Sequence, residues 1–267
     1  MPTVQIATGQ ADAQALETIK VHHAELAGGL ALRIDGLRRA AHDDARRPAA
    51  RDDLVAWCHD ELLPHALAEE EVLYAAARQL PEVGLLVTAM SDEHDLLGDL
   101  VATLEAADDP DTLVGAAGAL RTLFDSHVAK ENDLLLPGLA ADAVTSLAGL
   151  LEEMHAALDG DDGRPAPDSD ERSTSAEADG GHACGCHEHD GDGPPALDVR
   201  QVPHAIRHAT VFGALAAIGP DAAMVLVAPH DPVPLLAQIE QRHPGRFDVD
   251  YLECGPETWR LRLHRSA

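Results

Sequence analysis

The pattern His-x-x-x-Glu occurs twice in this 267-residue chain, at His65–Glu69 and again at His127–Glu131. Both copies lie in Ala- and Leu-rich stretches whose apolar residues recur at the three- to four-residue spacing of an amphipathic helix. Residues four apart on a helix share one face, so each copy presents an imidazole and a carboxylate to a common point. The chain is therefore expected to fold so that these two polar faces meet inside a helical core.

Two further helical stretches carry His23 and His94, each followed by apolar residues in matching phase. His22 lies about 100° around the helix from His23, so only one of the two should face the metal site, and the spacing to Leu26 and Leu30 selects His23. The five predicted helices, of which the last is short, cover about residues 11–41, 51–79, 83–107, 111–136 and 141–158. Four long helices joined by short connections predict an antiparallel four-helix bundle. The order His, His-x-x-x-Glu, His, His-x-x-x-Glu indicates two helical hairpins related by an approximate two-fold.

Six side chains of these four helices predict a metal site: His23, His65, Glu69, His94, His127 and Glu131. Neutral imidazole and carboxylate together suit iron or another transition ion of intermediate softness. A carboxylate can bridge two cations, whereas an imidazole cannot. Two octahedral ions need about twelve ligand positions, and four histidines, two bridging glutamates and one bridging oxide or hydroxide supply all but about two of them. The remaining positions are open to water, a further side chain or a small exogenous ligand.

Residues 12–158 resemble the hemerythrin-like (HHE cation-binding) family, whose pattern H…HxxxE…H…HxxxE is met by those six residues. The resemblance implies a four-helix bundle around two non-haem iron ions, with both glutamates bridging. Oxygen-carrying members have a further histidine in an HxxxH pair, but here Met90 and Gly98 flank His94 at four residues on either side. We therefore expect a more open or differently completed iron site rather than simple oxygen carriage. Candidates for a further ligand are His22, Glu70 and Tyr74.

Residues 159–195 contain eleven acids and two arginines but no Leu, Ile, Val, Met, Phe, Tyr or Trp. Such a segment cannot bury enough apolar surface to offset the entropy of ordering, which predicts a flexible acidic linker. A cluster within it comprises His182, Cys184, Cys186, His187 and His189. The cluster is a candidate site for zinc or copper(I), or a dithiol redox pair; a His-rich tract with no site is the alternative.

Residues 196–267 predict a small two-layer domain with the element order βαβαββ, so the fold class is an α bundle followed by α/β. The stretch 197–265 resembles the bacterial domain of unknown function 2249, and its element order is similar to the sulfur-carrier TusA fold. The reactive cysteine of that fold is replaced here by Val202 before Pro203, which excludes sulfur transfer by that residue. A candidate anion site near two helix N-termini comprises Arg200, His204, Arg207, His208 and His230. The alternative is that these are helix-cap and surface residues.

The formal net charge of −28 argues against nucleic acid or an anionic membrane as a partner. No apolar run approaches the roughly 18 residues of a membrane span. The start, Met1 to Gln10, shows no secretion signal, and four cysteines are too few for a disulfide scaffold, so a cytoplasmic location is expected.

These observations predict a bundle over residues 1–158, tethered by the 159–195 linker to a domain over residues 196–267. The bundle is expected to bind or reduce oxygen, nitric oxide or peroxide in redox or nitrosative stress, with a redox protein as a candidate partner. Two alternatives stay open. The protein is a non-enzymatic sensor that signals through its C-terminal domain, or it stores and donates iron for repair of iron–sulfur proteins.

Overall fold

A computed structural model describes Ala7, residues 9–160 and residues 193–266, without the side chains of residues 159 and 160. Eight α-helices form the described N-terminal part: α1 Gln10–Ala40, α2 Arg47–Trp57, α3 Leu63–Ala68, α4 Ala75–Ala77, α5 Gly84–Ala106, α6 Pro110–Lys130, α7 Leu136–Ala141 and α8 Leu147–Gly160. Three π-helical segments join some of them end to end: Cys58–Leu62, Glu69–Tyr74 and Glu131–Leu135. The helices α2 to α4 thus form one rod and α6 to α7 another. With α1 and α5 they make the four long helices that the sequence predicts.

The π-helical segments allow prolines inside the two rods. Pro64 and Pro137 each come two residues after such a segment. Proline lacks an N–H and its ring clashes with the carbonyl one turn back, which breaks an ordinary α-helix. In the wider turn, the N–H of Leu63 bonds to the carbonyl of Cys58, and that of Leu136 to the carbonyl of Glu131. The rods continue past each proline, and π turns of this kind are frequent at functional sites.

A layer of buried polar residues divides the interior of the bundle into two apolar clusters. One cluster includes Leu30, Leu54 and Leu120, and the other includes Ile19 and Met90. On three of the four long helices the predicted histidine lies between the residues of one cluster and those of the other, and on α6 His127 directly precedes Val128, the last residue of the first cluster. The metal-site residues are therefore enclosed by apolar packing on both sides.

The C-terminal part has the predicted order βαβαββ: β1 Ala196–Asp198, α9 Arg207–Ala216, β2 Ala223–Ala228, α10 Val233–Arg242, β3 Phe247–Cys254 and β4 Trp259–Arg265. The sheet order is β1-β2-β4-β3. Strands β1 and β2 are parallel, whereas β4 is antiparallel to both β2 and β3. The predicted fold class of an α bundle followed by a small α/β domain is confirmed.

Helix α9 of the C-terminal domain packs directly across α1 of the bundle. A Cβ atom added to Gly213 would lie 1.8 Å from the carbonyl oxygen of Glu25, and one added to Gly28 would lie 1.8 Å from the carbonyl oxygen of Thr210. Leu32 of α1 is 3% exposed and belongs to the core of the C-terminal domain. The two domains therefore share a backbone-to-backbone contact, which the sequence analysis did not predict.

None of the described helices is both long enough and apolar enough to cross a membrane. The predicted His- and Cys-rich cluster at residues 182–189 lies outside the described residues, as does most of the predicted linker.

Candidate metal centre

The structure brings the six predicted side chains together in two overlapping groups. Within each group the candidate ligand atoms lie within 4.8 Å of one another. We call the first group site A; it comprises His23, His65 and Glu69. We call the second group site B; it comprises Glu69, His94, His127 and Glu131. Each of these side chains is at least nine-tenths buried, so neither site is an incidental surface cluster.

Each glutamate faces both sites. The Oε1 atom of Glu69 lies 3.0 Å from the Nε2 atoms of His23 and His65, while its Oε2 lies 3.7 Å from the Nε2 of His94. The Oε2 atom of Glu131 lies 3.6 Å from Nε2 of His23, and its Oε1 lies 3.6 Å from Nε2 of His127. One oxygen of each carboxylate therefore serves each site, which is the arrangement that a bridging ligand needs.

Several buried polar atoms of this cluster lack a hydrogen-bond partner among the described residues. They are both ring nitrogens of His65 and the Oε2 atom of Glu131. The Nε2 of His65 is close to Glu69 but is not oriented to donate to it. The Nε2 atoms of His94 and His127 face each other at 2.9 Å. Buried polar atoms without partners are costly, and a cation between these nitrogens and oxygens satisfies them. The donor set fits a metal centre with nitrogen and oxygen ligands.

In three of the four histidines, Nδ1 forms a hydrogen bond with a residue outside the group of ligand atoms, which we call its outer partner. The pairs are His23 with Asn132 at 2.9 Å, His94 with Glu70 at 2.9 Å and His127 with Glu93 at 3.0 Å. Such an outer hydrogen bond keeps the proton on Nδ1, directs the Nε2 lone pair at the metal and raises ligand basicity. Lys130 in turn forms an ion pair with Glu93. Protein groups therefore hold these three rings in position.

Two of these outer partners follow the approximate two-fold of the bundle. Glu70 comes directly after Glu69 and reaches a histidine of the other hairpin, and Asn132 comes directly after Glu131 and does the same. The chemistry at the two positions differs. Both imidazoles of site B are backed by carboxylates, whereas site A is backed by one neutral amide. Negative charge is therefore concentrated around site B.

Tyr74 lies against the ligand atoms of site B. Its hydroxyl donates to Oε1 of Glu131 at 2.7 Å and lies 3.1 Å from Nε2 of His127. Its ring stacks on His94 at an interplanar angle of 10°. Burial, together with Glu131 and Glu69, raises the pKa of this phenol. Of the three candidates for a further ligand, Tyr74 is the one that the structure places against the ligand atoms.

The other two candidates lie outside the ring of ligand atoms. Glu70 is the outer partner of His94, as described above. The ring of His22 contacts the ring of His65 edge-on, with 4.8 Å between their centroids. Burial and the neighbouring His65 and His23 lower the pKa of His22 to about 4, so its imidazole is neutral at pH 7.

The protein groups of site A hold a proton where a cation would bind. Burial alone would lower the pKa of His23, but the hydrogen bond to Glu69 and the charge of Glu131 raise it to about 9. Burial likewise disfavours the Glu69 carboxylate, but His65 and His23 hold its pKa well below the usual range. A cation bound at site A would therefore displace a proton from His23.

Sequence reasoning missed Glu93 and Asn132. Both are polar residues close in sequence to a predicted ligand, Glu93 before His94 and Asn132 after Glu131. That proximity is a signal, but the partner of each lies on another helix. Only the relative position of the helices decides which nitrogen each one reaches.

The predicted anion-site residues of the C-terminal domain make separate contacts. Arg200 forms an ion pair with Asp198 at 2.6 Å. The other described contacts are Arg207 to the carbonyl of Val202, His208 to Gln238 and His230 to the carbonyl of Asp231. The described contacts do not join these side chains to one another, and the anion site stays a prediction.

A four-helix bundle that encloses a buried cluster of histidines and glutamates is compatible with metal binding. Residues 14–139 match the family model described as the hemerythrin HHE cation binding domain. Residues 196–265 match the model described as an uncharacterized conserved protein (DUF2249). The chain therefore carries a hemerythrin HHE domain followed by a DUF2249 domain, as its sequence resemblances indicate. Searches of curated proteins and of solved structures gave no match.

Proposed function

We propose that this is a non-haem di-iron protein that binds or reduces oxygen, nitric oxide or peroxide. The observation that carries the proposal is that each of two buried carboxylates, Glu69 and Glu131, faces imidazoles of both sites. Mixed nitrogen and oxygen ligands suit iron. When bound, iron supplies the electrons and the coordination positions for a small ligand.

The residues of this chain have distinct tasks in that function. Glu69 and Glu131 hold the two sites at a fixed spacing. The outer hydrogen bonds fix the imidazoles of His23, His94 and His127, but not that of His65. Tyr74 holds a proton next to site B, available to a ligand that takes up electrons there. The two apolar clusters keep bulk water away from the polar layer.

Site A is the side that a small ligand reaches from the surface. His65 lines a cavity of about 220 Å³ together with His22, Met154 and Leu158. His65 also lines a wider surface groove beside Pro64. Nδ1 of His65 has no hydrogen-bond partner among the described residues. It is therefore the imidazole nitrogen left to bond to water in these openings. The proposed route therefore runs between α1, α3 and α8.

The proposal is tested by loading the full chain with ferrous iron in the absence of oxygen. We expect close to two iron ions per chain and, on exposure to air, absorption bands in the visible range. Consumption of peroxide or nitric oxide over many turnovers supports a catalyst, whereas stoichiometric reversible binding supports a sensor. Protein that stays colourless and iron-free after loading contradicts the proposal.

Replacing Tyr74 by phenylalanine is expected to slow peroxide consumption by about 100-fold, since a positioned acid contributes roughly 10²–10⁴-fold. The variant keeps the ring that stacks on His94, so iron content should stay unchanged. The measurement is the turnover rate per bound iron. Tyr251→Phe is the control, because Tyr251 is exposed in the C-terminal domain. Unchanged turnover in Tyr74→Phe contradicts proton supply by this phenol, and loss of iron shows that it acts as a ligand instead.

One observation favours the sensor over the catalyst. The helix that carries His23 is also the helix on which the DUF2249 domain packs. The donor alternative depends on Cys184 and Cys186, which lie outside the described residues. Its test is whether replacing both cysteines abolishes iron transfer to a metal-free acceptor.

A further inference from the structure

We propose that the DUF2249 domain is the output module of the metal centre, because α1 joins site A directly to α9. Occupancy of site A and docking of α9 on α1 are then linked: an ion that orders α1 strengthens docking, and docking strengthens ion binding. The proposal rests on the proposed function only in requiring that site A bind a metal ion.

The contact between α1 and α9 is built for close approach. Gly28 and Gly213 each face a backbone carbonyl of the opposite helix, and any side chain at either position would overlap it. Glycine inside a helix is destabilising relative to alanine. Both helices bear this cost at the crossing, which indicates that the close contact is what these glycines serve.

Helix α1 lies between the metal centre and α9. His23 is fully buried on the bundle side. Gly28 comes five residues later, about one and a half turns along the helix and about 140° around it. Glu25, only two residues after His23, supplies the carbonyl against which Gly213 packs. A movement of His23 therefore reaches the α9 contact through less than two turns of rigid helix.

Two further contacts fix the C-terminal domain to the same helix. Leu32 enters the core of that domain. Asp35 accepts a hydrogen bond from the backbone N–H of Ala196, at the start of β1, at 2.7 Å. With the α9 crossing, these contacts hold the domain along α1 from Glu25 to Asp35. Contacts between backbones have little room to adjust, so a shift of α1 is passed on rather than absorbed.

The contacts within site A show why an ion bound there would act on α1. His23 bonds directly to Glu69 at 3.0 Å, and the ring nitrogens of His65 have no partner. An ion held by His23, His65 and Glu69 would replace the direct bond between His23 and Glu69 and would tie α1 to α3. Two sites that bias one element are coupled reciprocally, so each must strengthen the other by the same factor.

The test compares hydrogen exchange of the α9 amides, Arg207–Ala216, in the full chain with and without ferrous iron. Loading is expected to slow this exchange about tenfold in the natural sequence. The uncoupling variant is Gly213→Ala. Alanine favours the helix, so α9 itself is retained, while its Cβ overlaps the Glu25 carbonyl. In this variant the effect of iron on α9 should vanish, and iron affinity should fall about tenfold with unchanged saturation.

Gly219→Ala is the matched control, since a Cβ at Gly219 meets nothing within 4 Å in the same domain. It should retain both the slowed exchange and the affinity. If circular dichroism shows that Gly213→Ala unfolds the domain, Asp35→Ala is used instead, because it loosens docking from the bundle side. For Asp35→Ala a smaller loss of about threefold in iron affinity is expected.

The outcomes separate this proposal from the proposed function. Iron that binds the natural chain without changing α9 exchange overturns the coupling and leaves the metal centre intact. A Gly213→Ala or Asp35→Ala chain with natural affinity and natural exchange also overturns it. Failure of the natural chain to bind iron overturns the metal centre itself, and with it both proposals.

Discussion

If the centre is the proposed di-iron site, replacing Glu69 by alanine is expected to reduce the iron content from about two ions per chain to below about one, because this side chain faces both sites. Its Oε1 faces His23 and His65, and its Oε2 faces His94. Loss of a partner that only orients a ligand already costs about 10–100-fold in metal affinity, and loss of a bridging ligand should cost more. The measurement is the iron content of protein loaded without oxygen and freed of excess metal.

The same substitution at Glu71 is the control. Glu71 lies two residues further along the same π-helical segment but is exposed, so its loss should leave the iron content unchanged. An unchanged iron content in Glu69→Ala would show that the two sites do not share this carboxylate. The account of a bridged centre would then be wrong.

Removal of the iron is expected to lower the melting temperature by roughly 8–16 °C. A ligand present at a thousand times its dissociation constant stabilises the folded state by about 4 kcal/mol. A change of 1 kcal/mol shifts the melting temperature of a domain of this size by about 2–4 °C. The physical cause is that both ring nitrogens of His65 and Oε2 of Glu131 are buried and have no hydrogen-bond partner among the described residues. A bound cation would stabilise these atoms. The measurement is calorimetry of loaded and chelator-stripped protein.

The Glu69→Ala chain serves as the reference for that experiment. Because it should hold little iron, its melting temperature should respond weakly to added ferrous iron. Equal melting temperatures for loaded and stripped natural protein would mean that the cluster does not depend on an ion for its packing.

The bundle and the ligand cluster could be predicted from the sequence because both depend on local periodicity. His65 and Glu69 are four residues apart, so any helix through them brings both side chains to one face. The choice of His23 over His22 followed from the same rule, since Leu26 and Leu30 mark the buried face of α1. The order βαβαββ was likewise readable from short apolar runs separated by Gly and Pro.

The features that the sequence did not reveal depend on how separate elements meet. Asn132 pairs with His23 only because two helices of different hairpins lie in one particular register. Tyr74 could not be singled out among the three candidates for a further ligand, since the direction of its side chain depends on the wider turn over Glu69–Tyr74.

The docking of α9 left one trace in the sequence, which the sequence analysis did not use. Gly28 stands in the interior of a long helix with no turn to explain it. A glycine in that position indicates close approach by another backbone, but it does not indicate which backbone approaches.

Each hairpin of the bundle supplies a hydrogen-bond partner to a histidine of the other hairpin. The hairpin that carries His23 and Glu69 places Glu70 against His94 of the other hairpin. That hairpin in turn places Asn132 against His23. Neither half of the bundle is therefore a smaller working version of the whole. Separating the two hairpins would remove an imidazole-orienting hydrogen bond from both sites at once.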